Sequence, residues 1–532
     1  MSDCISYKDI PYYSRLILAY LSQEKTIRNT YHRFPTLDNF RLQLEEKKEQ
    51  YPMAHRQTLV AALKAQYGHT PTSEATQAHI TSLKEPNTFT ITTGHQLNLF
   101  TGPLYFLYKI ISVIKLAEQL QKEYPQHHFV PMYWLASEDH DFEEINFFNF
   151  KQQKIQWKSQ QKGAVGRFST AGLAKVFEEF SGQLNDSHQA RSLKKWFEEA
   201  YLRHQNLTAA TRYLANELFG KHGLVIIDGD DPALKQLFIP QIQNELLEQN
   251  AYHQVSKTSQ KLESLGFKTQ VNPREINLFY LSKNSRRRII KQDNHYFIHE
   301  TQKQFTEKEI LKNLEEHPED FSPNAIMRPL YQEVILPNLC YVGGSGELAY
   351  WLELKSYFET EHIPFPILLQ RNSALLISSK QRKKCENIGI EPAHLFLKQE
   401  ELLQRQTRRL SKIDIDFSPQ QSFLKQQFKA LYQLADRTDP SFIGAVAAQE
   451  KKQLNGLAHL EKRLLKAQKR KLKDQLDRLI ILQDELFPKG NLQERTANFS
   501  EFYARYGEKF ITALFRELQP LELQFNIITL SD

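Results

Sequence analysis

Cysteine is nearly absent: three residues in 532, Cys4, Cys340 and Cys385, far apart and in no C-x-x-C pair. That count excludes a disulfide framework and a zinc-ribbon spacing, and a reducing compartment is the simplest setting for it. Long apolar runs are missing as well. The stretch Leu104–Leu120 is broken by Lys109 and Lys115, so no segment is suited to span a bilayer. The opening Met1-Ser2-Asp3-Cys4 lacks the basic-then-apolar layout of a signal peptide. A cytoplasmic, soluble protein is therefore expected, with no membrane partner. Charge of one sign is scarce too: 69 Lys plus Arg against 62 Asp plus Glu leave a net +7, too diffuse to announce a nucleic-acid binder.

What is present is ordinary for a folded enzyme or scaffold. Hydrophobic residues make up 40% and charged residues 25%, which argues against disorder. A chain of this length exceeds what one core supports, so two or three domains are expected. Residues 1–85 read as polar and helical, a cap on the next domain. From Thr88 to Thr93 the chain is β-branched and aromatic, a strand that Gly94 breaks. Thr101-Gly102-Pro103 then offers a helix start with Thr101 as cap, and Leu104, Leu107, Ile111 and Ile114 recur at helical spacing with Lys109 on the opposite face. A second strand runs from Phe129 to Ala136, where Pro131 suits only the first positions. Leu224–Ile227 reads as a strand covered on both faces, ending where Asp231 caps a helix opened by Pro232. Strand–loop–helix–strand repeats imply a parallel sheet. The fold expected is α/β: a Rossmann-like core over 86–380, with insertions or crossover helices at about 145–220 and 235–325.

Residues 381–440 read as a helical linker, and 441–532 as a coiled-coil region. From Ala445 to Leu486 there is no proline, and Leu465, Leu472, Leu479 and Leu486 recur every seven residues with Leu476 on a second seam. A helix of about 40 residues would be about 60 Å long and could not bury that stripe alone. An antiparallel hairpin with Phe499–Leu518 as the returning helix, which also dimerises, is expected. Residues 451–480 hold ten basic against three acidic side chains; a solvated coiled-coil face explains this more simply than a polyanion site, so a nucleic-acid partner is not expected. Ser378-Ser379-Lys380 similarly resembles a synthetase lysine loop only faintly, and surface lysines are the simpler account.

Three stretches can carry chemistry. Gly94-His95-Gln96 through Thr101-Gly102-Pro103 joins a strand to a helix; glycine permits close approach, and helix N–H groups with His95, Gln96 and Thr101 could hold a phosphate. It is neither a Walker sequence nor G-x-G-x-x-G, and an ordinary βα turn is the alternative. Next, Glu138-Asp139-His140-Asp141-Phe142-Glu143-Glu144 packs five carboxylates and one imidazole behind a strand. Such crowding raises carboxyl pKa values or recruits a cation. General base catalysis, ammonium recognition or Mg²⁺ carried by a nucleotide are the possible uses, and a solvated helix N-terminus the bland one. No second histidine stands at ligand spacing, so no zinc site is expected. Third, Tyr341-Val342-Gly343-Gly344-Ser345-Gly346-Glu347 forms a glycine-rich turn that could act as an anion nest, with Glu347 for an amine, and Arg328 upstream for a carboxylate. Tyr350 and Trp351 read as packing residues.

Together and in this order, these blocks resemble one family: BshC, the cysteine-adding ligase of bacillithiol biosynthesis. The matching residues are Thr93-Gly94-His95-Gln96, Phe100–Tyr105, Glu138–Glu144, Arg328-Pro329-Leu330, Tyr341–Trp351 and Leu492-Gln493-Glu494-Arg495. His95 departs from the family, where many members carry glutamine; a donor is kept. The resemblance implies a Rossmann-like core with inserted segments akin to class I aminoacyl-tRNA synthetases, and a homodimerising coiled coil. It further implies that cysteine is joined to the amine of glucosaminyl malate. Amide formation requires an activated carboxyl, so ATP (yielding ADP or AMP), with Mg²⁺ on the nucleotide, is the expected cofactor. The Gly94–Pro103 loop and the glycine turn would hold phosphates. The 138–141 cluster would place the amine and accept its proton, with His140 as base because imidazole titrates nearest physiological pH. The alternatives are a dimeric scaffold for nucleic acid or a partner, and a nucleotidyl or sugar transferase on the same core.

Overall fold

The computed structural model describes residues 3–531 apart from His69 and Asn294; Met1 and Ser2, read above for a leader, lie outside the described residues. Its centre is a sheet of β1 (Thr88–His95), β2 (His128–Leu135), β3 (Val225–Asp228), β4 (Asn338–Gly343) and β5 (Ile367–Gln370), in spatial order β5-β4-β1-β2-β3. Every neighbouring pair is parallel. This is doubly wound Rossmann topology: the winding reverses between β1 and β4, which is where such sheets open a crevice beyond their carboxyl ends. All residues of β1 and β4 are buried, as expected for strands covered on both faces. The threonines of β1 tolerate this because Thr90 and Thr92 donate to Asn338 Oδ1 (3.2 and 2.8 Å) and Thr93 to the Val342 carbonyl (2.7 Å). Pro131 is admitted to β2 because pairing with β3 begins only at Met132.

The helix after β1, α1 (Tyr105–Glu123), is present, but Thr101 is not its cap. Phe100, Thr101 and Gly102 are all left-handed, with φ of 48°, 67° and 63°, and a Cβ on Gly102 would lie 2.5 Å from Asn98 Cβ. A distant segment supplies the capping instead. The Leu104 N–H donates to the Ala497 carbonyl (2.8 Å), and Asn498 Nδ2 donates to the carbonyls of Phe100 and Gly102 (2.8 and 2.6 Å). Asp231, by contrast, caps the short helix Pro232–Gln236 as its sequence dictates, accepting from Ala233 and Leu234.

The first insertion supplies a β-hairpin (Phe147–Phe150 with Gln153–Gln156) and the helices Leu173–Gly182, His188–Arg203 and Leu207–Phe219. The second was expected as polar insertion or crossover helix; after two helices it builds a five-stranded antiparallel sheet, Leu278–Ser282 and Ser285–Gln292 among its strands. The basic run Arg286-Arg287-Arg288 hides that strand from hydropathy, since only Ile289 along it is fully buried. Residues 3–85 supply four α-helices, Arg15–Leu21 to Glu74–Ser82, with Asp3–Ser6 an antiparallel partner of Gln524–Leu530.

Two compact units result: Met1–Leu376 with Asn491–Asp532, and Ile377–Gly490. The second is helical. The long helix expected over 445–486 is two, Pro440–Lys471 and Lys473–Leu486, parted at Leu472. Pro440–Lys471 packs on Ser418–Ala435 around Phe428, Ala435 and Val446. Phe499–Leu518 is therefore not its returning partner. Gly507 (φ 58°) splits that stretch into Phe499–Tyr506 and Glu508–Glu517, and both belong to the first unit. Ser378 and Gln381 form a reciprocal capping box on Ser379–Ile388, which gives that motif a structural purpose. No helix among the described residues is long and apolar enough to cross a membrane.

Candidate active site

A cavity of about 640 Å³ opens beyond the carboxyl ends of β1, β2 and β4, at the reversal of the sheet. Of the residues singled out in the sequence, Gly94, His95, Gln96, Glu138, Asp139, His140, Asp141, Arg328, Tyr341, Gly344, Gly346 and Glu347 line it; Thr101, Gly102 and Gly343 do not.

One wall is acidic. Behind β2, the Glu138 carboxylate lies 2.6 Å from Lys235 Nζ, which is buried and also 3.3 Å from Asp230. Arg167 in turn grips Asp230 with two hydrogen bonds (2.6 and 2.7 Å). The crowded carboxylates thus recruit cations, as electrostatics requires, but from segments far away in sequence. Burial pushes the Glu138 carboxyl up despite Lys235. Asp230 is buried as well, yet Arg167 and Lys235 hold its carboxyl below the usual range. Asp139 is fixed by Gln96 Nε2 (2.9 Å) and by the His140 N–H (2.7 Å). Glu144 accepts from the same Gln96, and Glu143 from Asn146. His140 meets Arg286 from the inserted sheet, NH1 lying 3.0 Å from Nδ1, and partial burial together with that cation lowers its pKa. Among the described residues no cluster of His, Cys, Asp or Glu has a metal-holding arrangement.

Other residues lining the cavity are cationic. Arg328, on α2 (Met327–Ile335), donates to Gln332 Oε1 (3.1 Å) and Tyr350 Oη (3.0 Å), both neutral, and forms no ion pair among the described residues. Tyr350 is thus a cavity residue, not merely a packing one. Glu347 attracts Arg328 from beyond ion-pair distance, and a guanidinium at a cavity wall with no direct carboxylate partner suits an anionic ligand, carboxylate or phosphate. Arg495 lines the cavity as well. Beneath them Glu347, on α3 (Ser345–Trp351), takes hydrogen bonds from Tyr341 Oη (2.8 Å) and the Gly344 N–H (2.9 Å) and pairs with Lys109 Nζ at 2.5 Å. Burial alone would raise its carboxyl; Lys109 prevails and holds it below the usual range. Lys109 also donates to the Gly94 carbonyl (2.7 Å). Gly94 is needed for space, because a Cβ there would lie 3.2 Å from Tyr341 Oη. Trp351, as expected, packs, stacked on Tyr341 with ring centroids 4.6 Å apart.

Two expected anion cradles are not built. The Gly94–Pro103 loop spends N–H groups inside the fold: that of Phe100 goes to Tyr201 Oη and that of Gly102 to the Leu99 carbonyl, and the Leu104 N–H beyond it goes to Ala497. His95 at its start is buried against Tyr105 and Phe106, and burial, with Lys109 adding to it, depresses its pKa to about 3, so it is neutral. In the glycine turn, none of Gly343, Gly344 and Gly346 is left-handed, and Glu347 occupies the Gly344 N–H. These glycines give room, a Cβ on Gly343 meeting Tyr341 at 2.9 Å, and do not form a nest.

Lys235 and Arg286 were not marked by the sequence, and Lys109, expected on the face of its helix opposite the apolar stripe, is buried instead. A single lysine inside an apolar helical run signals a buried, paired charge in the case of Lys109; Lys235 and Arg286 carry no local signal at all.

Residues 1–372 match the family model described as bacillithiol biosynthesis BshC, N-terminal Rossmann-like domain, and 374–530 the one described as bacillithiol biosynthesis BshC, C-terminal coiled-coil domain. Proteins named "Putative cysteine ligase BshC" are similar over nearly the whole chain. That of Christiangramia forsetii is 56% identical, covering 99% of both chains, and that of Flavobacterium johnsoniae is 54% identical, covering 99% of this chain and 100% of its own. That of Cytophaga hutchinsonii is 38% identical over 98% and 97%. Full-length matches of this order, to both domain models and in sequence, mean that the chain belongs to the BshC family of bacillithiol biosynthesis.

Proposed function

We propose that this cavity joins the carboxyl group of cysteine to the amine of glucosaminyl malate, making the amide of bacillithiol, after nucleotide-dependent activation of the carboxyl. The observation that carries the reading is the mixed charge of one space: the carboxylates of Glu138, Asp139 and Asp141 and the guanidinium groups of Arg328 and Arg495 line the same cavity. Its volume is that of a small-molecule site. The two substrates bring amines and carboxylates together, and such a cavity sorts them by charge. A bound nucleotide supplies a good leaving group on the carboxyl carbon, and Arg328 is the side chain placed to hold its phosphates or the malate carboxylates.

The chain's own groups do the remainder. Asp139, kept in place by Gln96 and the His140 N–H, and Asp141 receive the ammonium and take the proton released as the C–N bond forms. Lys235 keeps Glu138 from repelling its neighbours. Calorimetric titration with ATP, cysteine and glucosaminyl malate, singly and combined, coupled to mass spectrometry of the product, tests this. Amide product that vanishes in Asp139→Ala and Asp141→Ala is expected; binding of none of the three, or undiminished product in both variants, overturns it.

We further propose that the helical unit pairs two copies of the chain. Phe423, Leu434 and Phe442 are 63, 54 and 44% exposed on its Ser418–Ala435 and Pro440–Lys471 helices, large apolar side chains that a second copy could cover. Light scattering should read a dimer for the native chain and a monomer for Phe423→Glu with Leu434→Glu. A native monomer refutes it.

A further inference from the structure

Arg286 reaches the cavity already fixed in place. Its Nε donates to Ser322 Oγ (3.0 Å), its NH2 to the Pro323 carbonyl (2.9 Å), and its guanidinium lies 3.9 Å over the Phe279 ring. The remaining nitrogen, NH1, is 3.0 Å from His140 Nδ1. A guanidinium has donors only, so at this distance Nδ1 must present a lone pair.

We infer that Arg286 is a positioning residue that sets the tautomer of His140, so that the imidazole faces the substrates as a neutral Nε2–H donor and not as the base. A ring whose Nδ1 accepts carries its one hydrogen on Nε2. Neither nitrogen then has a lone pair for a substrate proton: that of Nδ1 is engaged by Arg286, and Nε2 is already protonated. Protonating Nδ1 would set one N–H against another. The charged groups around the ring are Asp139 and Asp141 on its own segment and Arg286 and Arg287 on the facing strand. The carboxylates favour protonation, but Asp139 Oδ1, 3.8 Å from Nδ1, is engaged by the His140 N–H. Partial burial and Arg286 outweigh both.

The chemical consequence rests on the proposed amide formation; the tautomer does not. As the amine nitrogen bonds to the activated acyl carbon and the C–O bond to the departing phosphate breaks, charge gathers on the acyl oxygen, where an Nε2–H donor stabilises it. The amine's proton passes to a carboxylate, Asp139 or Asp141.

Nitrogen NMR of the full chain labelled with ¹⁵N-histidine separates the two claims. Resonances lost in His140→Gln identify the ring. A pyridine-type Nδ1 and a pyrrole-type Nε2 are expected at pH 7, persisting on acidification below the pH at which an ordinary histidine titrates. Arg286→Lys, which keeps a cation and a donor, should retain this pattern, while Arg286→Met should restore mixed tautomers and ordinary titration. A hydrogen on Nδ1 at pH 7 in the native chain overturns the inference even if Arg286→Met fails to fold, and so does an Arg286→Met spectrum identical to the native one. In the ligation assay His140→Gln keeps a donor and should stay within about tenfold of native kcat, whereas His140→Phe should fall about 10²–10³-fold. Equal losses in the two refute the donor role. An absence of ligation in the native chain counts against the proposed function and leaves the tautomer to the spectrum.

Discussion

Lys109→Met replaces a buried cation by an apolar side chain of similar length and leaves Glu347 without its strongest partner. The Lys109 side chain is 4% exposed and that of Glu347 27%, at 2.5 Å. Orphaning one charge of a fully dry pair costs about 3–5 kcal/mol. Water reaches part of Glu347, and Tyr341 and the Gly344 N–H still solvate it, so about 2–3 kcal/mol is expected here. The pH dependence has a definite sign. In the native chain the Glu347 carboxyl is depressed, so its contribution is present above the ordinary glutamate value and lost as pH falls through the folded value. In the variant burial opposes only the hydrogen bonds from Tyr341 and the Gly344 N–H and pushes the carboxyl up from its native value; the penalty is full at pH 7 and is relieved as Glu347 protonates on acidification. All four tryptophans, at 134, 157, 196 and 351, lie in the larger unit, so their fluorescence during urea unfolding reports that unit alone. The gap between native and variant should narrow from pH 7 to pH 4.5, and Glu347→Gln added to Lys109→Met should recover stability at pH 7. A loss below about 0.5 kcal/mol, or a double variant no more stable than the single one, would refute the reasoning.

Gly94→Ala would bring a methyl group 3.2 Å from Tyr341 Oη and 3.9 Å from Arg328 NH1; overpacking of about 1–3 kcal/mol should appear chiefly as weaker binding of anionic substrates, and unchanged calorimetric affinity contradicts it. Asn498→Ala strips the donor from the buried carbonyls of Phe100 and Gly102, at about 1–3 kcal/mol for each left unsatisfied. Its tryptophan-detected urea midpoint should drop, and an unmoved midpoint would mean water replaces the amide.

The core strands were legible because their signals are local. β1, β2 and β3 announce themselves by β-branched and apolar runs, although Gly94 does not break β1, which stays paired with β2 through His95; Asp231-Pro232 states its cap in two residues. Thr101 looked like a cap by the same logic, yet Ala497 and Asn498 had already satisfied those backbone groups from about 400 residues away. The cavity's acidic residues Glu138, Asp139 and Asp141 were readable, since five carboxylates in the seven residues Glu138–Glu144 demand explanation. Their counter-charges were not: Lys235 sits on an ordinary helix turn, and Arg286 lies in a basic run that reads as solvated surface. Pairwise electrostatics is written across the fold, not along the chain, so sequence shows the demand for a cation and not its source.

The bond between Asn498 and the Phe100–Gly102 turn spans 398 residues at its longest, with the whole helical unit 377–490 emerging from the ribosome in between. At translation speeds of about 5–20 residues per second, the first crossover of the sheet waits about 20–80 s for its clasp. During that interval the carbonyls of Phe100 and Gly102 lack the Asn498 donor, and the Phe100 ring has its neighbours Phe148, Phe180 and Phe197 but not Phe499. Ribosome-stalled chains cut before residue 498 should therefore be more sensitive to protease near residue 100 than released ones.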